Sequence, residues 1–209
     1  MEMAILGKTR RQALTEFREA EILEAARKVF SEQGYGAATV DHIAAAAGVA
    51  KGTIYLYYDS KEEIFWAALS SRFREMFERT KLAMAAERTT RAKLRAGLRV
   101  RFEFFRSDEQ FVRMFISEFG HMCRNQGGPM HALYLESAET LASVIRDGIA
   151  AGELRQVPAL ETAMALMDLV KSVFAMRFTG LRGQQPDFDG EQFVFDLFWQ
   201  GVEKAGDCA

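Results

Sequence analysis

The chain has little cysteine and proline, and its apolar residues do not form long uninterrupted runs. It contains 2 cysteines and 3 prolines among 209 residues. Cys123 and Cys208 cannot form a disulfide framework and lack metal-ligand spacing, which favours reduced thiols. No segment holds the roughly 18 uncharged apolar residues that a membrane helix needs, and the first residues lack the apolar run of a signal peptide. We therefore expect a cytoplasmic protein with no membrane partner.

Strand patterns and an excess of one charge are also lacking. No stretch alternates apolar and polar residues over more than a few positions, which predicts an all-α chain. The formal net charge is -2, so the chain has no generally basic coat for nucleic acid, although a local basic site is still possible. Apolar residues make up 49% of the chain and charged residues 27%, a composition typical of a globular protein of one or two domains.

Motifs of catalysis and metal binding are missing as well. The chain has no glycine-rich phosphate loop followed by Lys-Ser/Thr, no nucleophile elbow and no cluster of histidines with carboxylates. His121 and Cys123 make a weak metal pair, because alternate residues of a helix point about 200° apart. His121 and His131 are more simply explained as surface residues than as ligands of an effector. We predict a protein that is not an enzyme and that holds no metal or cofactor.

Small residues dominate the segment 38–48, which begins and ends with strong helix signals. Thr39 occupies an N-cap position before an apolar stripe, and Gly48 ends this helix after about two turns. Gly34 is placed to end the helix before it, and Ser60 with its neighbour Asp59 caps a longer helix after it. Because alanines let two short helices cross closely, the segment predicts a helix-turn-helix within a three-helix unit.

The residues after this turn have the chemistry of a DNA-reading surface. A recognition helix enters the major groove with its N-terminal end, and Gly52 would let its backbone come close to the DNA. Hydroxyl and ammonium groups suit phosphates and base edges, and Ile54, Leu56 or Tyr58 must turn inward to hold the helix. The alternative is that the tyrosines are half-buried and the lysines merely solvated. The residues predicted to contact DNA are Thr39, Lys51, Gly52, Thr53, Tyr55, Tyr57 and Lys61.

An ordered set of short motifs runs through this region: Gly34-Tyr35-Gly36, Thr39-Val40, Ala47-Gly48-Val49, Lys51-Gly52-Thr53-Ile54-Tyr55, Tyr57-Tyr58 and Lys61-Glu62. This set resembles the N-terminal domain of the TetR family of transcriptional regulators. The resemblance implies a homodimeric repressor whose N-terminal helices bind a palindromic operator and whose C-terminal helices bind a small effector. It also implies phosphate contacts for Thr39, Tyr57 and Lys61.

Two features depart from the family pattern. Position 58 is a tyrosine where the family usually has phenylalanine. Residues 8–61 carry eight basic side chains against seven acidic ones, so the predicted DNA-binding segment is close to neutral and not strongly basic. DNA binding must then depend on a few well-placed charges, and we expect its salt dependence to be moderate.

The chain is expected to have three parts. Residues 1–14 form a flexible basic arm, 15–60 the helix-turn-helix domain, and 61–209 a helical domain for ligand binding and dimerisation. The basic residues Lys8, Arg10 and Arg11 have two open interpretations, an arm that reaches the DNA backbone or minor groove and a solvated tail.

Phenylalanine and methionine are concentrated beyond residue 100. An apolar pocket lined by such residues suits a hydrophobic or aromatic effector, because methionines adapt to varied shapes. The alternative for each single residue is an ordinary place in the core. The predicted pocket residues are Phe102, Phe105, Phe111, Met114, Phe115, Phe119, Met122, Met167 and Phe174.

The two last helices of the chain are apolar on more than one face. A helix that is apolar nearly all round is buried nearly all round, so we expect these helices to pair with those of a second copy about a two-fold axis. The alternative is the middle of a monomeric bundle. A dimeric carrier of apolar ligands that does not bind an operator also remains open. The predicted dimer residues are Leu166, Val170, Phe195, Phe198, Trp199 and Val202.

Overall fold

The computed structural model describes residues 10–124, 128–179 and 188–204. Within these residues the only β-structure is an isolated bridge between Leu154 and Glu203, and everything else that is regular is helical. The predicted all-α fold is confirmed. In the same residues, no helix combines the length and the apolar character that crossing a membrane requires. The helices are α1 (Arg10–Ala37), α2 (Val40–Ala47), α3 (Lys51–Ile54), α4 (Lys61–Ala85), α5 (Thr90–Ser107), α6 (Glu109–Arg124), α7 (Pro129–Ala150), α8 (Ala159–Thr179) and α9 (Gly190–Val202).

The chain divides into two compact units, Met1–Ser71 and Arg72–Ala209. The domain boundary that we placed after residue 60 stays a prediction. α1 begins at Arg10, so residues 10–14 are helical and are not part of the expected flexible arm. The reason is composition, since this stretch contains good helix formers and neither glycine nor proline. Lys8 lies outside the described residues.

In the first unit, the capping side chains and glycines that the sequence singles out lie at the start, the end or a kink of a helix. The Thr39 hydroxyl accepts a hydrogen bond from the His42 backbone N–H at 3.2 Å and caps α2. Gly48 adopts a left-handed conformation with φ 67°, and Gly34 interrupts α1 with φ 74°. Such positive φ values cost little only for glycine. The Ser60 hydroxyl accepts from the Glu63 backbone N–H at 3.1 Å and so caps α4.

The core of the first unit is formed by one apolar stripe from each of its four helices. These stripes are spaced by three and four residues, which places them on one face of each helix. Burying them holds the short α2 and α3, which are too short to be stable alone. The largest fully buried members are Ile22, Ile43, Ile54, Ile64 and Leu69.

The second unit packs α5 to α9 around a phenylalanine-rich core. α7 packs against α8 and α5, and α9 packs against both α5 and α8. The Asp108 carboxylate caps α6 by accepting from the Phe111 backbone N–H at 2.9 Å. The turn after α7 is tied to the end of α9, because the Arg155 N–H donates to the Val202 carbonyl at 3.0 Å.

Candidate nucleic-acid interface and ligand region

The recognition helix α3 is a single turn whose apolar side chains face inward. Ile54 and Tyr58 are buried in the first unit, whereas Lys51, Gly52 and Tyr55 are exposed. Ile54 and Tyr58 are four residues apart and therefore lie on the same side of the chain. The start of α3 is thus presented to solvent on a buried apolar base.

Tyr58 shows how the departure from phenylalanine is accommodated. Its hydroxyl donates to the Glu19 carboxylate of α1 at 3.2 Å. Burial raises the pKa of this hydroxyl, and the nearby Glu19 charge raises it further. Tyr58 therefore stays neutral and acts as a packing residue that ties α3 to α1.

Lys51 lies at the first position of α3 and is paired within the protein. Its Nζ lies 2.8 Å from the Asp41 carboxylate of α2, and both side chains are largely exposed. The hydrogen bond to Asp41 raises the pKa of Lys51, so this side chain carries its charge. Exposed ion pairs are weak, so a phosphate or a base edge could replace Asp41 at little cost.

Gly52 has no internal reason to be glycine. A Cβ at this position would have no heavy atom within 4 Å, and its φ is not positive. Neither packing nor backbone strain therefore excludes a larger residue in the free protein. A close approach by another molecule would account for the glycine.

The hydroxyl groups of the predicted set differ in exposure. Thr39 is exposed, and its cap to α2 uses the hydroxyl oxygen as an acceptor, which leaves the O–H proton out of that bond. Thr53 and Tyr57 are half-buried. Tyr55 is 47% exposed. Thr39 precedes α2, Thr53 lies on α3, and Tyr55 and Tyr57 lie in the turn that follows.

Lys61 has a different environment from the one that its sequence position suggests. Its Nζ donates to the backbone carbonyls of Tyr35 at 2.8 Å and Ala38 at 3.0 Å, with a longer contact to Gly36 at 3.5 Å. It also lies 4.5 Å from the centre of the Tyr35 ring. The ammonium therefore binds the C-terminal end of α1 and Ala38, which follows it, and its donors point into the protein.

Leu56 is an exposed residue that we did not include among the predicted DNA contacts. It is 81% exposed, between Tyr55 and Tyr57. The sequence spacing indicates this exposure, because Ile54 and Tyr58 are four residues apart and share the buried side of the segment, whereas Leu56 lies halfway between them. A large apolar side chain at this place can contact thymine methyl groups or sugars.

The rings of the predicted ligand pocket form one connected cluster in the second unit. The Phe105 ring centre lies 5.1 Å from that of Phe174 and 5.8 Å from that of Phe111, which stacks on Phe115 at 5.7 Å. Phe102 contacts Phe174 at 5.3 Å, and the half-buried Phe119 contacts Phe115 at 5.6 Å. We call these six rings the aromatic cluster: Phe102, Phe105, Phe111, Phe115, Phe119 and Phe174.

The other three predicted pocket residues are methionines, which are not part of the aromatic cluster. Met114 and Met167 are buried in the same unit. The side chain of Met122 lies outside the described residues, as do those of His121 and Cys123.

Polar residues beside the aromatic cluster were not predicted. Arg101, Tyr134 and Ser137 are all buried, and the Arg101 guanidinium donates to the Ser137 hydroxyl at 2.8 Å. The Tyr134 ring lies 5.6 Å from that of Phe119. A signal for Arg101 exists in the sequence, because it is four residues before Phe105 and three after the buried Leu98, on the apolar face of α5.

The predicted dimer residues require a correction. Leu166, Val170, Phe195, Phe198, Trp199 and Val202 are all buried inside the chain itself, at most 8% exposed, so they do not offer an apolar surface to a second copy. Their helices pack against the rest of the second unit more fully than we expected. Among the described side chains of α8 and α9, the large apolar residues that are exposed are Met176 at 42%, Phe193 at 51% and Leu197 at 51%.

A short helix, a glycine turn and an exposed one-turn helix on an apolar base form a helix-turn-helix, the fold of a DNA-binding protein. A family model described as "Bacterial regulatory proteins, tetR family" matches residues 22–68. A second, described as "Tetracyclin repressor-like, C-terminal domain", matches residues 87–175. Together the two matches span more than half of the chain. The chain belongs to the TetR family of transcriptional regulators, which are DNA-binding proteins and not enzymes.

Individual relatives agree with this assignment. The chain is 29% identical over 154 residues to the uncharacterized HTH-type transcriptional regulator YhgD of Bacillus subtilis (strain 168), covering 73% of this chain and 80% of that protein. It is 28% identical over 151 residues to the HTH-type transcriptional repressor KstR2 of Rhodococcus jostii, covering 72% and 74%. The crystal structure of FadR from Bacillus subtilis in complex with stearoyl-CoA shares its fold, with a TM-score of 0.73, 21% identity, and coverage of 88% and 99%.

Proposed function

We propose that this chain is a repressor that binds a palindromic operator as a homodimer and is released by a hydrophobic or aromatic small molecule. The observation that carries the DNA-binding part is the exposed start of α3. Lys51, Gly52 and Tyr55 face solvent there, and the space above Gly52 is open. A helix presented in this way can enter a major groove with its backbone close to the DNA.

The aromatic cluster supports an apolar effector. Its six rings, together with the buried Met114 and Met167, form an apolar region of the second unit. The relative FadR is described in complex with stearoyl-CoA, and the relative KstR2 is named a repressor. We therefore assign the effector region to the second unit, with the pocket residues that the sequence predicts.

The exposed apolar residues of α8 and α9 support a two-fold dimer. Phe193 and Leu197 are four residues apart on α9, so they share one face of the helix. A palindromic operator needs two recognition helices about 34 Å apart, which a two-fold dimer supplies. We assign the dimer contact to this face, in place of the buried residues that we predicted.

Release is proposed to act through α4. This helix is continuous from Lys61 to Ala85, and Arg72 on it binds Asp108 at the start of α6. An effector that favours one placement of α6 would move α4 and change the spacing of the two recognition helices in the dimer. Operator affinity would then fall by the difference in effector affinity between the two states.

The test is a fluorescence-anisotropy titration of the protein against the DNA upstream of its own gene, with a scrambled competitor and at two salt concentrations. We expect saturable binding with two protomers per site. Gly52→Ala should keep or raise the melting temperature, because alanine is the better helix former by about 1 kcal/mol. The same variant should lose operator affinity by at least about tenfold, because its Cβ would meet the DNA.

Gly36→Ala is the matched control, since a Cβ there also meets open space without a positive φ but lies on α1 and outside the predicted contact set. It should bind the operator as the wild type does. If Gly52→Ala binds equally well, the start of α3 does not approach the DNA. If the wild type shows only weak binding that salt abolishes, and the Lys51→Ala and Tyr57→Ala changes alter nothing, the alternative of an apolar-ligand carrier is favoured.

A further inference from the structure

Arg101 is a buried charge in the apolar interior of the second unit. The residue is 4% exposed. One terminal nitrogen donates to the Ser137 hydroxyl at 2.8 Å, and the other has a long contact of 3.5 Å to the Gly97 carbonyl one turn back in α5. A guanidinium has five N–H donors, so these two neutral partners leave it far from saturated.

No carboxylate of the described chain acts on Arg101. The one electrostatic neighbour that favours its charge is the Tyr134 hydroxyl, and burial lowers the pKa of Arg101 to about 10. A pKa below that of the unfolded chain means that the protonated guanidinium opposes folding at neutral pH. Arg101 is nevertheless still charged at that pH. Buried charges in proteins are normally paired, so this one lacks its usual partner.

The position of Arg101 places this charge beside the aromatic cluster. Arg101 and Phe105 are four residues apart on α5, so they lie on one face of that helix. On α7, Ser137 and Tyr134 are three residues apart, and the Tyr134 ring lies 6.4 Å from Phe115 and 5.6 Å from Phe119. The Tyr134 hydroxyl donates to Asp168 at 3.2 Å, and Asp168 is itself paired with Lys171 at 2.7 Å.

We infer that Arg101 and Ser137 bind the carboxylate of an amphiphilic acid whose apolar part lies in the aromatic cluster. The inference rests on the proposed effector function and narrows its chemical class. A guanidinium fork matches the two oxygens of a carboxylate, and a hydroxyl beside it can donate a further hydrogen bond. Bound acid would supply the negative charge that the described residues do not place beside Arg101.

The first test needs no ligand. Arg101→Met replaces the buried charge with an apolar side chain of similar length, and such replacements are often neutral or stabilising. In buffer without amphiphiles we expect the melting temperature of Arg101→Met to exceed that of the wild type by at least about 2 °C. A fall instead would show that Arg101 is a structural residue of the unit and would overturn the inference.

The second test measures binding by calorimetry. The probes are decanoate, dodecanoate and hexadecanoate, with the alcohol and the alkyl phosphate of each length as comparison. We expect at least one acid to bind the wild type about tenfold more tightly than its alcohol, because a charge-assisted hydrogen bond is lost with the alcohol. Arg101→Met should remove this difference and leave the affinity for the alcohol unchanged.

The outcomes separate this inference from the proposed function. Equal binding of acid and alcohol to the wild type would reject the carboxylate site while the apolar effector stands. Preference for the alkyl phosphate would reject the carboxylate as the group that Arg101 recognises. If none of the probes binds, both the inference and the apolar effector fail, whereas operator binding is judged separately by the anisotropy titration.

Discussion

At the scale of single residues, Lys51 and Lys61 show that one side-chain type has two different surroundings within ten positions. The Lys51 ammonium is exposed and pairs with Asp41, a contact that other anions can replace. The Lys61 ammonium donates to carbonyls of the last turn of α1 and of Ala38, just before α2. We infer that Lys51 contacts DNA directly, whereas Lys61 holds α2 in the position from which α3 can bind.

Changing each lysine to methionine separates these roles. Lys61→Met should lower the free energy of unfolding by about 1–3 kcal/mol, because hydrogen bonds from a charged donor are lost. Lys51→Met should leave the urea midpoint unchanged and reduce the slope of log affinity against log salt by about 1. Urea unfolding and salt titration of operator binding measure these effects. A Lys61→Met protein of unchanged stability would show that Lys61 is a phosphate contact and not a brace.

At the scale of elements, the junction of α4 with the start of α6 is held by one carboxylate. Asp108 accepts two hydrogen bonds with different purposes, one from the Arg72 guanidinium at 2.6 Å and one from the Phe111 N–H that caps α6. Arg72 also lies over the Phe104 ring at 4.6 Å and pairs with Glu75 on its own helix. α4 and α6 are thus linked through a partly buried ion pair.

Two substitutions of Asp108 distinguish the cap from the ion pair. Asp108→Asn keeps a good N-cap but removes the charge that binds Arg72, whereas Asp108→Ala removes both. We expect Asp108→Ala to be less stable than Asp108→Asn by about 1 kcal/mol. In the asparagine variant, an effector should also change operator affinity less than in the wild type, because the ion pair between α4 and the start of α6 is lost. Unchanged effector response in Asp108→Asn would argue against this route of coupling.

At the scale of the whole molecule, binding to the proposed palindromic operator requires that two copies of the chain associate. The exposed apolar face of α9, with Phe193 and Leu197, is the surface that we assign to the second copy. A carboxylate placed there would be buried without a partner in the dimer, which costs several kcal/mol and favours separate protomers.

Phe193→Asp should therefore convert the dimer to a monomer, as measured by sedimentation equilibrium, and weaken operator binding with it. Leu82→Asp is the matched control, because Leu82 on α4 is 72% exposed and outside the proposed interface. It should leave the mass in solution unchanged. If Phe193→Asp remains dimeric, the two copies associate through another surface.

Much of the fold could be predicted because its determinants are local. The Thr39 cap, the Gly48 stop, the Asp108 cap and the apolar stripes of α1 and α4 each depend on residues within one or two turns. The helix-turn-helix and its exposed face follow from them. The helical residues 10–14 were assigned to the flexible arm because propensity alone, without a cap or a breaker, marks helix ends poorly.

The sequence by itself determined the all-α class, the helix ends with strong capping signals, the helix-turn-helix and the group of rings that forms the aromatic cluster. Only the tertiary structure decided which faces of α8 and α9 are covered and what the Lys61 ammonium binds. It also decided that the buried Arg101 guanidinium has no carboxylate beside it among the described residues. Phe198 and Phe193 have the same chemistry, yet one is buried and the other is half exposed. Burial and pairing are set by neighbours distant in the chain, because packing joins helices that local sequence patterns describe only one at a time.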